Sequence, residues 1–367
     1  MTTERPLRIL AVVPSLGVGG AERVLTTLSQ LWVESGHTVL IATLGDEPNA
    51  AFVPTAAVEV VALRVAGDSP NPWQGIRNNL NRVRAVGALM ARWRPDVAVG
   101  FTTHASVLAA IAAAREGIPS IVTERNFPPS NPIGAGWSIM RHQAYRRARV
   151  IAMQTERAAV WARGEWGQGR VRVVPNPLAN GLMVAPTFEG RAPTITFLGR
   201  LAPVKCPLDA IAAFAESTAA PWRLQIIGDG PLHSAGVAFA ESLGINDRVD
   251  WLGVRGDVGA LLRASSIALF TSRTEGFPNG LLEAMAAGCA VVSTDCPAGP
   301  AELLLDGECG LLAPVGETGI IAAAIRTLVE DPQRRNQLGN AARTRALEFA
   351  PAVVGRQWEA VLQRAVS

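Results

Sequence analysis

Lysine is almost missing from this chain: of 34 basic residues in 367, 33 are arginine and one is Lys205. Cysteine is scarce too. Cys206, Cys289, Cys296 and Cys309 show neither CxxC nor Cys/His spacing, which excludes a zinc site or a disulfide framework as the expectation and leaves reduced thiols. No apolar run reaches the roughly 18 to 20 residues that a membrane-crossing helix needs. The apolar stretch after Arg8, ILAVVP, is too short for a signal peptide, so a cytoplasmic location is expected. Disorder is excluded by a hydrophobic content of 49% against 18% charge. The length fits two domains of about 150 to 200 residues each.

Charge is unevenly spread. Residues 1–180 carry 19 arginines against 12 acids, a net +7, while residues 181–367 carry 15 basic and 19 acidic residues, a net −4. The N-terminal half is therefore the one expected to meet an anion or an anionic surface.

Short β-rich runs alternate with Ala/Leu-rich helical stretches, the pattern of parallel βαβ units. Strands are expected at RILAVV, HTVLIAT, VEVVAL, DVAVGF, PSIVTE, VIAMQT and VRVVPN, then at TITFLG, RLQIIG, VDWLG, IALFTS, CAVVST and GLLAP. Residues 175–193, rich in Pro, Gly and Asn, read as the linker between the two sets. Both halves open with strand, glycine loop and helix. The expected fold class is α/β, with two doubly wound Rossmann-like domains facing a central cleft.

In open parallel sheets ligands bind at the C-terminal ends of strands, where helix N-termini offer unpaired amides to anions. SLGVGGAER, residues 15–23, is one such end. Its glycines would let a backbone approach a phosphate, or would simply make a tight turn; the dinucleotide spacing fails because Glu22 stands where the third glycine belongs. GRLAPVKCP puts Arg200 at a strand end and Lys205 five residues later. Two cations there suit a diphosphate, the guanidinium forking across two oxygens and the ammonium acting as a point charge. The alternative is two solvated charges, but a lone lysine amid 33 arginines argues against chance. RTEGFPNGLLEAMAAG, residues 273–288, follows a strand ending at Ser272, with Asn279 as the expected N-cap. Glu275 and Glu283 read either as acids favoured by a helix dipole or as carboxylates for ligand hydroxyls. Capping explains Glu283 poorly, since it falls one residue beyond the capping-box position. IIGDGP and WLGVRGDV, each an ordinary turn alone, would together line a cleft with backbone groups suited to a base.

Taken in order, GGAER, PNP at 175–177, GRLxxxK, GDGP, EGFPNGLLEAMAAG and DCPAGPAELLLDGECGLLAP resemble glycosyltransferase family 4, retaining nucleotide-sugar glycosyltransferases of the GT-B fold. The resemblance covers nearly the whole chain, and its most specific element is Glu, seven residues, Glu in a Gly-Phe-Pro-Asn context. It implies that Arg200 and Lys205 neutralise the leaving nucleoside diphosphate. Glu275 would face the donor sugar, the amides of Gly276, Phe277, Pro278 and Asn279 would approach sugar and diphosphate, and Glu283 would hold the ribose. Gly19 and Gly20 match the loop that closes over donor phosphate, while Val254 and Arg255 fall where the base is bordered. No metal and no cofactor are expected; the nucleotide-sugar is a co-substrate. The implied domains are 1–178 for the acceptor, 179–348 for the nucleotide-sugar, and a helix at 349–367 packing back on the first. One departure stands out: where many members carry histidine after the strand PSIVTE, this chain has Glu124, in TERNFPP. His104, in GFTTHAS, ends the preceding strand; either residue would steer the acceptor hydroxyl or the donor's primary hydroxyl, or His104, a lone histidine with apolar flanks, is structural. The TERN variant resembles members acting in polysaccharide or lipid-linked oligosaccharide assembly.

Between Asp68 and Asp96 there is no acid, while Arg77, Arg82, Arg84, Arg92 and Arg94 occur with Trp73 and Trp93. Ile76, Leu80, Val83 and Met90 recur at helical spacing, leaving arginines on the other face. A second acid-free stretch begins at Arg125 and holds Arg141, Arg146, Arg147 and Arg149 with Trp137 and the one tyrosine, Tyr145. Such segments suit a pyrophosphate-linked acceptor or the inner face of an anionic membrane, or are plain solvated faces. No nucleic-acid motif accompanies the charge. The reading is a metal-independent retaining transferase moving a hexose or N-acetylhexosamine from a UDP-sugar to a lipid-linked or glycan hydroxyl. Its rivals are a nucleotide-sugar epimerase of the same fold and a non-catalytic nucleotide-sugar-binding partner.

Overall fold

A computed structural model of the protein describes residues 5–17, 19–46, 54–67, 71–183, 189–217 and 220–367. Val18 of the glycine loop and residues 184–188 of the expected linker lie outside these. The chain divides into two compact units, residues 1–177 with 351–367, and residues 178–350.

The first unit runs β1 (Arg8–Val13), α1 (Gly20–Glu34), β2 (Thr38–Thr43), β3 (Glu59–Ala62), α2 (Pro72–Trp93), β4 (Val97–Gly100), α3 (Thr103–Glu116), β5 (Ser120–Thr123), α4 (Ala135–Tyr145), β6 (Val150–Met153), α5 (Glu156–Trp166) and β7 (Val171–Val173). Its strands lie in the order β3-β2-β1-β4-β5-β6-β7, all pairs parallel. Strands β4, β5 and β6 are buried along their whole length, and β1 and β2 beyond their first residue. That is why they read as continuous apolar runs: helices cover both faces of a parallel sheet.

The second unit comprises β8 (Ala192–Leu198), α6 (Pro207–Ser217), β9 (Arg223–Ile227), α7 (His233–Ser242), β10 (Val249–Gly253), α8 (Val258–Ala264), β11 (Ser265–Phe270), α9 (Asn279–Ala286), β12 (Ala290–Thr294), α10 (Pro300–Leu303), β13 (Leu311–Ala313), α11 (Thr318–Glu330) and α12 (Pro332–Ala346). The order is β10-β9-β8-β11-β12-β13, again parallel throughout. The last helix, α13 (Pro351–Val366), belongs to the first unit, where Trp358 meets Trp32 of α1 edge to face at 5.5 Å.

Each sheet has one point where strand order reverses, between β1 and β4 in the first and between β8 and β11 in the second. Loops leaving the C-terminal ends of two such strands diverge to opposite faces and leave a crevice between them. In the first unit α3 sits unusually close to its strand: a Cβ on Gly100 would lie 2.3 Å from the Ser106 Cα. Ser106 Oγ donates to the Gly100 carbonyl at 2.8 Å and accepts from the Thr123 amide at 3.1 Å, pinning α3 to β4 and β5. The residue that begins this helix turn, Thr102, has φ 76° and ψ 159°, a strained conformation for a β-branched side chain.

Candidate functional site

The reversal point of the second sheet holds the sharpest cluster of candidate site residues. Lys205 closes a short 3-10 turn in the β8–α6 loop, and Glu275 lies in the β11–α9 loop. Their side chains meet with Lys205 Nζ donating to Glu275 Oε1 at 2.5 Å, and Ser272 Oγ donates to the same oxygen at 2.6 Å. The two loops are tied through their backbones as well. Thr271 Oγ1 donates to the carbonyls of Lys205 and Cys206, and the Arg273 amide donates to the Val204 carbonyl at 2.9 Å. Arg200 stands at the mouth of β8, exposed and with no ion-pair partner among the described residues. An unpaired guanidinium therefore lies in the same loop as a paired ammonium, at the end of the sheet where anions bind.

A third loop supports this one. After β9 the chain turns at Gly228, φ 132°, where a Cβ would lie 2.1 Å from the Gly199 carbonyl oxygen. Only glycine lets the β9 loop press against the backbone that presents Arg200, and the Leu201 amide donates to the Asp229 carbonyl at 2.9 Å. Beneath the ion pair, burial first and Glu275 second push the Cys296 thiol up to about 12, so it stays neutral. All four cysteines are buried and unpaired.

Helix α9 corrects one expectation. Asn279 is its first residue and Pro278 occupies the cap position, with no side-chain cap. β11 also ends at Phe270 rather than Ser272. Glu283 then lies past the first turn, where the dipole effect has faded, and is only 4% exposed. A dipole explanation therefore fails for Glu283, while Glu275, four residues before the helix, is held by Lys205 and Ser272. Gly276 and Asn279 remain partly open, while Phe277 and Pro278 are buried, Phe277 meeting Phe349 edge to face at 5.9 Å. Val254 and Arg255 lie beyond edge strand β10; Val254 is exposed, and Arg255 forms a two-pronged pair with Asp257 at 2.8 Å.

In the first unit Gly19 and Gly20 begin α1 at the strand reversal, with no side-chain cap on the helix. The Glu22 carboxylate folds back over Gly19, so close that a Cβ there would meet it at 2.1 Å. His104 sits in the first turn of α3, not at the strand end. Its ring meets Trp137 of α4 edge to face at 4.3 Å, and burial together with the Arg82 charge lowers its pKa, favouring the neutral imidazole.

Glu124 faces the protein interior. Only 2% exposed, it accepts hydrogen bonds from Thr103 Oγ1 and from Tyr145 Oη, the latter at 2.8 Å, and lies 3.6 Å from Arg141 Nη1. Both oxygens are turned inward, which removes it as the group that steers an acceptor. Arg141, with 13% of its side chain exposed, and Arg125, stacked 3.8 Å over Phe101, are likewise interior side chains rather than members of a membrane face. Arg82 is committed to the Val65 and Gly67 carbonyls. On α2 the apolar stripe also divides: Val83 and Met90 are buried, but Trp73, Ile76 and Leu80 are exposed at 82%, 54% and 41%, beside exposed Arg77 and Arg84. Ser272, Thr271, Thr103 and Tyr145 are the site and support residues that sequence reasoning missed; only the three-residue step from Ser272 to Glu275 carried any signal.

Residues 18–179 match the family described as Glycosyltransferase Family 4, and residues 183–345 match Glycosyl transferases group 1. An exopolysaccharide phosphotransferase of Streptomyces coelicolor is 31% identical over 74% of this chain, although the match spans 29% of that protein. The chain spans less than half the length of the first curated relatives it matches. A Campylobacter jejuni α-1,4-N-acetyl-D-galactosaminyltransferase acting on an undecaprenol diphosphate glycan is 24% identical over 96% of this chain and 97% of its own length. Among solved structures, Anabaena HepE in complex with UDP and glucose shares the fold with a TM-score of 0.79 at 21% identity, covering 97% of this chain and 99% of that one. With one match on each Rossmann-like unit, the chain belongs to the GT-B glycosyltransferases of the family 4 kind.

Proposed function

We propose that this protein is a retaining, metal-independent glycosyltransferase that moves a hexose or N-acetylhexosamine from a UDP-sugar to a hydroxyl of a lipid-linked or polysaccharide acceptor. The observation that carries this reading is the Lys205–Glu275 pair with unpaired Arg200 beside it, at the strand reversal of the second sheet. As the glycosidic bond breaks, negative charge grows on the leaving diphosphate, and two preorganised cations lower the energy of that state more than of the ground state. They take the electrostatic part that a divalent ion plays elsewhere. Glu275 holds Lys205 in place and accepts from the donor sugar, Glu283 takes the ribose, and the amides around Gly276 and Asn279 lie along the diphosphate. Gly19 and Gly20 close on donor phosphate, Val254 and Arg255 border the base, and His104, kept neutral, contacts a substrate hydroxyl. In the family's front-face mechanism the leaving phosphate takes the proton of the attacking hydroxyl and the anomeric configuration is kept.

Relatives that work on undecaprenol diphosphate glycans support the acceptor class. No helix among the described residues is long and apolar enough to cross a membrane. Exposed Trp73, Ile76 and Leu80 beside Arg77 and Arg84 support peripheral attachment to an anionic leaflet on the cytoplasmic side.

Lys205→Ala decides the matter. Turnover with UDP-sugar and a glycan acceptor is expected to fall about 10²- to 10³-fold, the usual loss for one electrostatic donor. Melting temperature should barely change, because the pair is partly exposed and such pairs contribute about 0 to 1 kcal/mol. Near-normal transfer would sink the assignment, and product formed from donor alone would point to epimerase chemistry.

A further inference from the structure

One interior cation of the first unit has no ion-pair partner among the described residues. Arg125 follows β5, at the C-terminal end of the sheet where the loops after β1 and β4 also emerge. Its guanidinium is clamped. The Phe101 ring lies 3.8 Å beneath it, and Nη1 donates at 2.7 Å to Asn176 Oδ1, against which the Gln154 amide also packs at 2.7 Å. Nε is buried with no hydrogen-bond partner, and Nη2 has none among the described residues. The neighbouring carboxylate does not help, because Glu124 is turned to Thr103, Tyr145 and Arg141. Burial alone pushes the Arg125 pKa down to about 9, which leaves it charged at neutral pH with no ion-pair partner among the described residues.

Such an arrangement is costly. An interior ion lacking a counter-charge forfeits hydration without Coulombic return, and an apolar side chain of similar size would serve packing better. The geometry has a use, however. Nε and Nη2 form one edge of the guanidinium, the edge that grips two oxygens of a phosphate, while Nη1 on the other side is the nitrogen anchored to protein. Arg125 as a residue keeps partial exposure although Nε itself is closed to solvent, so a ligand oxygen would approach this edge from the Nη2 side.

We infer that the Nε–Nη2 edge of Arg125 is a phosphate-binding subsite of the first unit, taking a phosphate of one of the two substrates. This rests on the transferase reading for which substrate brings the phosphate, and on the local geometry alone for the site itself. Two sources share the chemistry: a diphosphate that links the acceptor glycan to its lipid, and the diphosphate of the donor.

Two measurements test it. First, binding of inorganic pyrophosphate is followed by calorimetry in the full chain carrying Arg200→Ala and Lys205→Ala, so that the two cations assigned to the donor diphosphate are removed. Adding Arg125→Gln should weaken this binding about tenfold or more, the scale of losing a charge-assisted pair of hydrogen bonds. Unchanged binding overturns the subsite, and because no turnover is needed this result stands whether or not the transferase reading survives. Second, in the otherwise native enzyme Arg125→Gln should raise one KM about tenfold with kcat changed much less, and Arg125→Lys should restore part of it. A KM rise confined to acceptors bearing a lipid diphosphate, and absent with the same glycan lacking it, assigns the acceptor; a rise in donor KM assigns the donor. A fall in melting temperature or kcat with both KM values unchanged overturns the proposal and leaves Arg125 as a clamp on Asn176.

Discussion

Glu124 and Lys205 show how differently two charged side chains in one protein are held. Lys205 and Glu275 are partly exposed and stay available to a ligand. Glu124 is sealed in, with Thr103 and Tyr145 as donors and Arg141 as counter-charge. Replacing it with alanine strands that arginine and tyrosine, so Glu124→Ala should cost about 3 kcal/mol or more in denaturant unfolding. Its pH dependence has a definite sign. Burial, the largest influence, raises the Glu124 carboxyl above its usual range against the opposing pull of its partners. The folded state then holds that proton more tightly than the unfolded chain. Stability of the wild type relative to Glu124→Gln should therefore decline as pH rises from the usual carboxylate range through the raised value, and level off above it. A difference curve that climbs with pH would mean that the partners outweigh burial. The eight-residue step from Glu275 to Glu283 was legible in the sequence, as was Lys205, because composition alone made it conspicuous. The partners of Glu124 were not, since Thr103 and Tyr145 come from helices that only tertiary packing brings beside β5.

At the scale of elements, the loop after β8 depends on the loop after β9. Gly228 is the residue to test. Gly228→Ala places a methyl group into the Gly199 carbonyl and into a φ that L-residues rarely adopt, and should cost about 1 to 3 kcal/mol while displacing Arg200. A thermal melt paired with kcat/KM checks both halves: stability lost with full activity retained would show that Arg200 is not positioned by this contact. Helix α2 offers the second element-scale test. Its periodicity put Ile76 and Leu80 on one face with Val83 and Met90, but the first two turns of the helix leave Ile76 and Leu80 exposed with Trp73. Periodicity reports which residues share a face and says nothing of how far along the helix the sheet extends. Trp73→Ala with Arg77→Gln and Arg84→Gln should weaken binding to phosphatidylglycerol vesicles, each arginine contributing about 1 kcal/mol near an anionic surface. Arg82 is left out because carbonyls hold it. Equal vesicle binding by the triple variant would exclude this face.

At the scale of the whole molecule, the first unit needs both ends of the chain. α13 returns to it after the second unit is complete, burying Trp358 against Trp32 and setting Glu359 2.7 Å from His37 Nε2. The Leu7 amide donates to His37 Nδ1 at 3.0 Å, so the ring ties the residue before β1 to Glu359 of α13. Trp358→Ala should destabilise the first unit by about 3 to 5 kcal/mol, the range for truncating a large buried aromatic. In denaturant this should split unfolding into two transitions, the second unit melting last; a single unshifted transition would refute the coupling of α13 to that core. Both parallel sheets were determined by the amino-acid sequence itself, because a strand covered on two faces must be a continuous apolar run and a crossover helix must separate it from the next. So was the placing of Lys205 and Glu275 in the loops after β8 and β11, at the strand reversal of a doubly wound sheet. What only tertiary structure decided is which charges remain available. Arg82, Arg141 and Glu124 are indistinguishable in sequence from solvent-facing residues, and each is taken by a carbonyl, a carboxylate or a hydroxyl from a distant segment, since hydrogen-bond partners are chosen by packing and not by spacing along the chain.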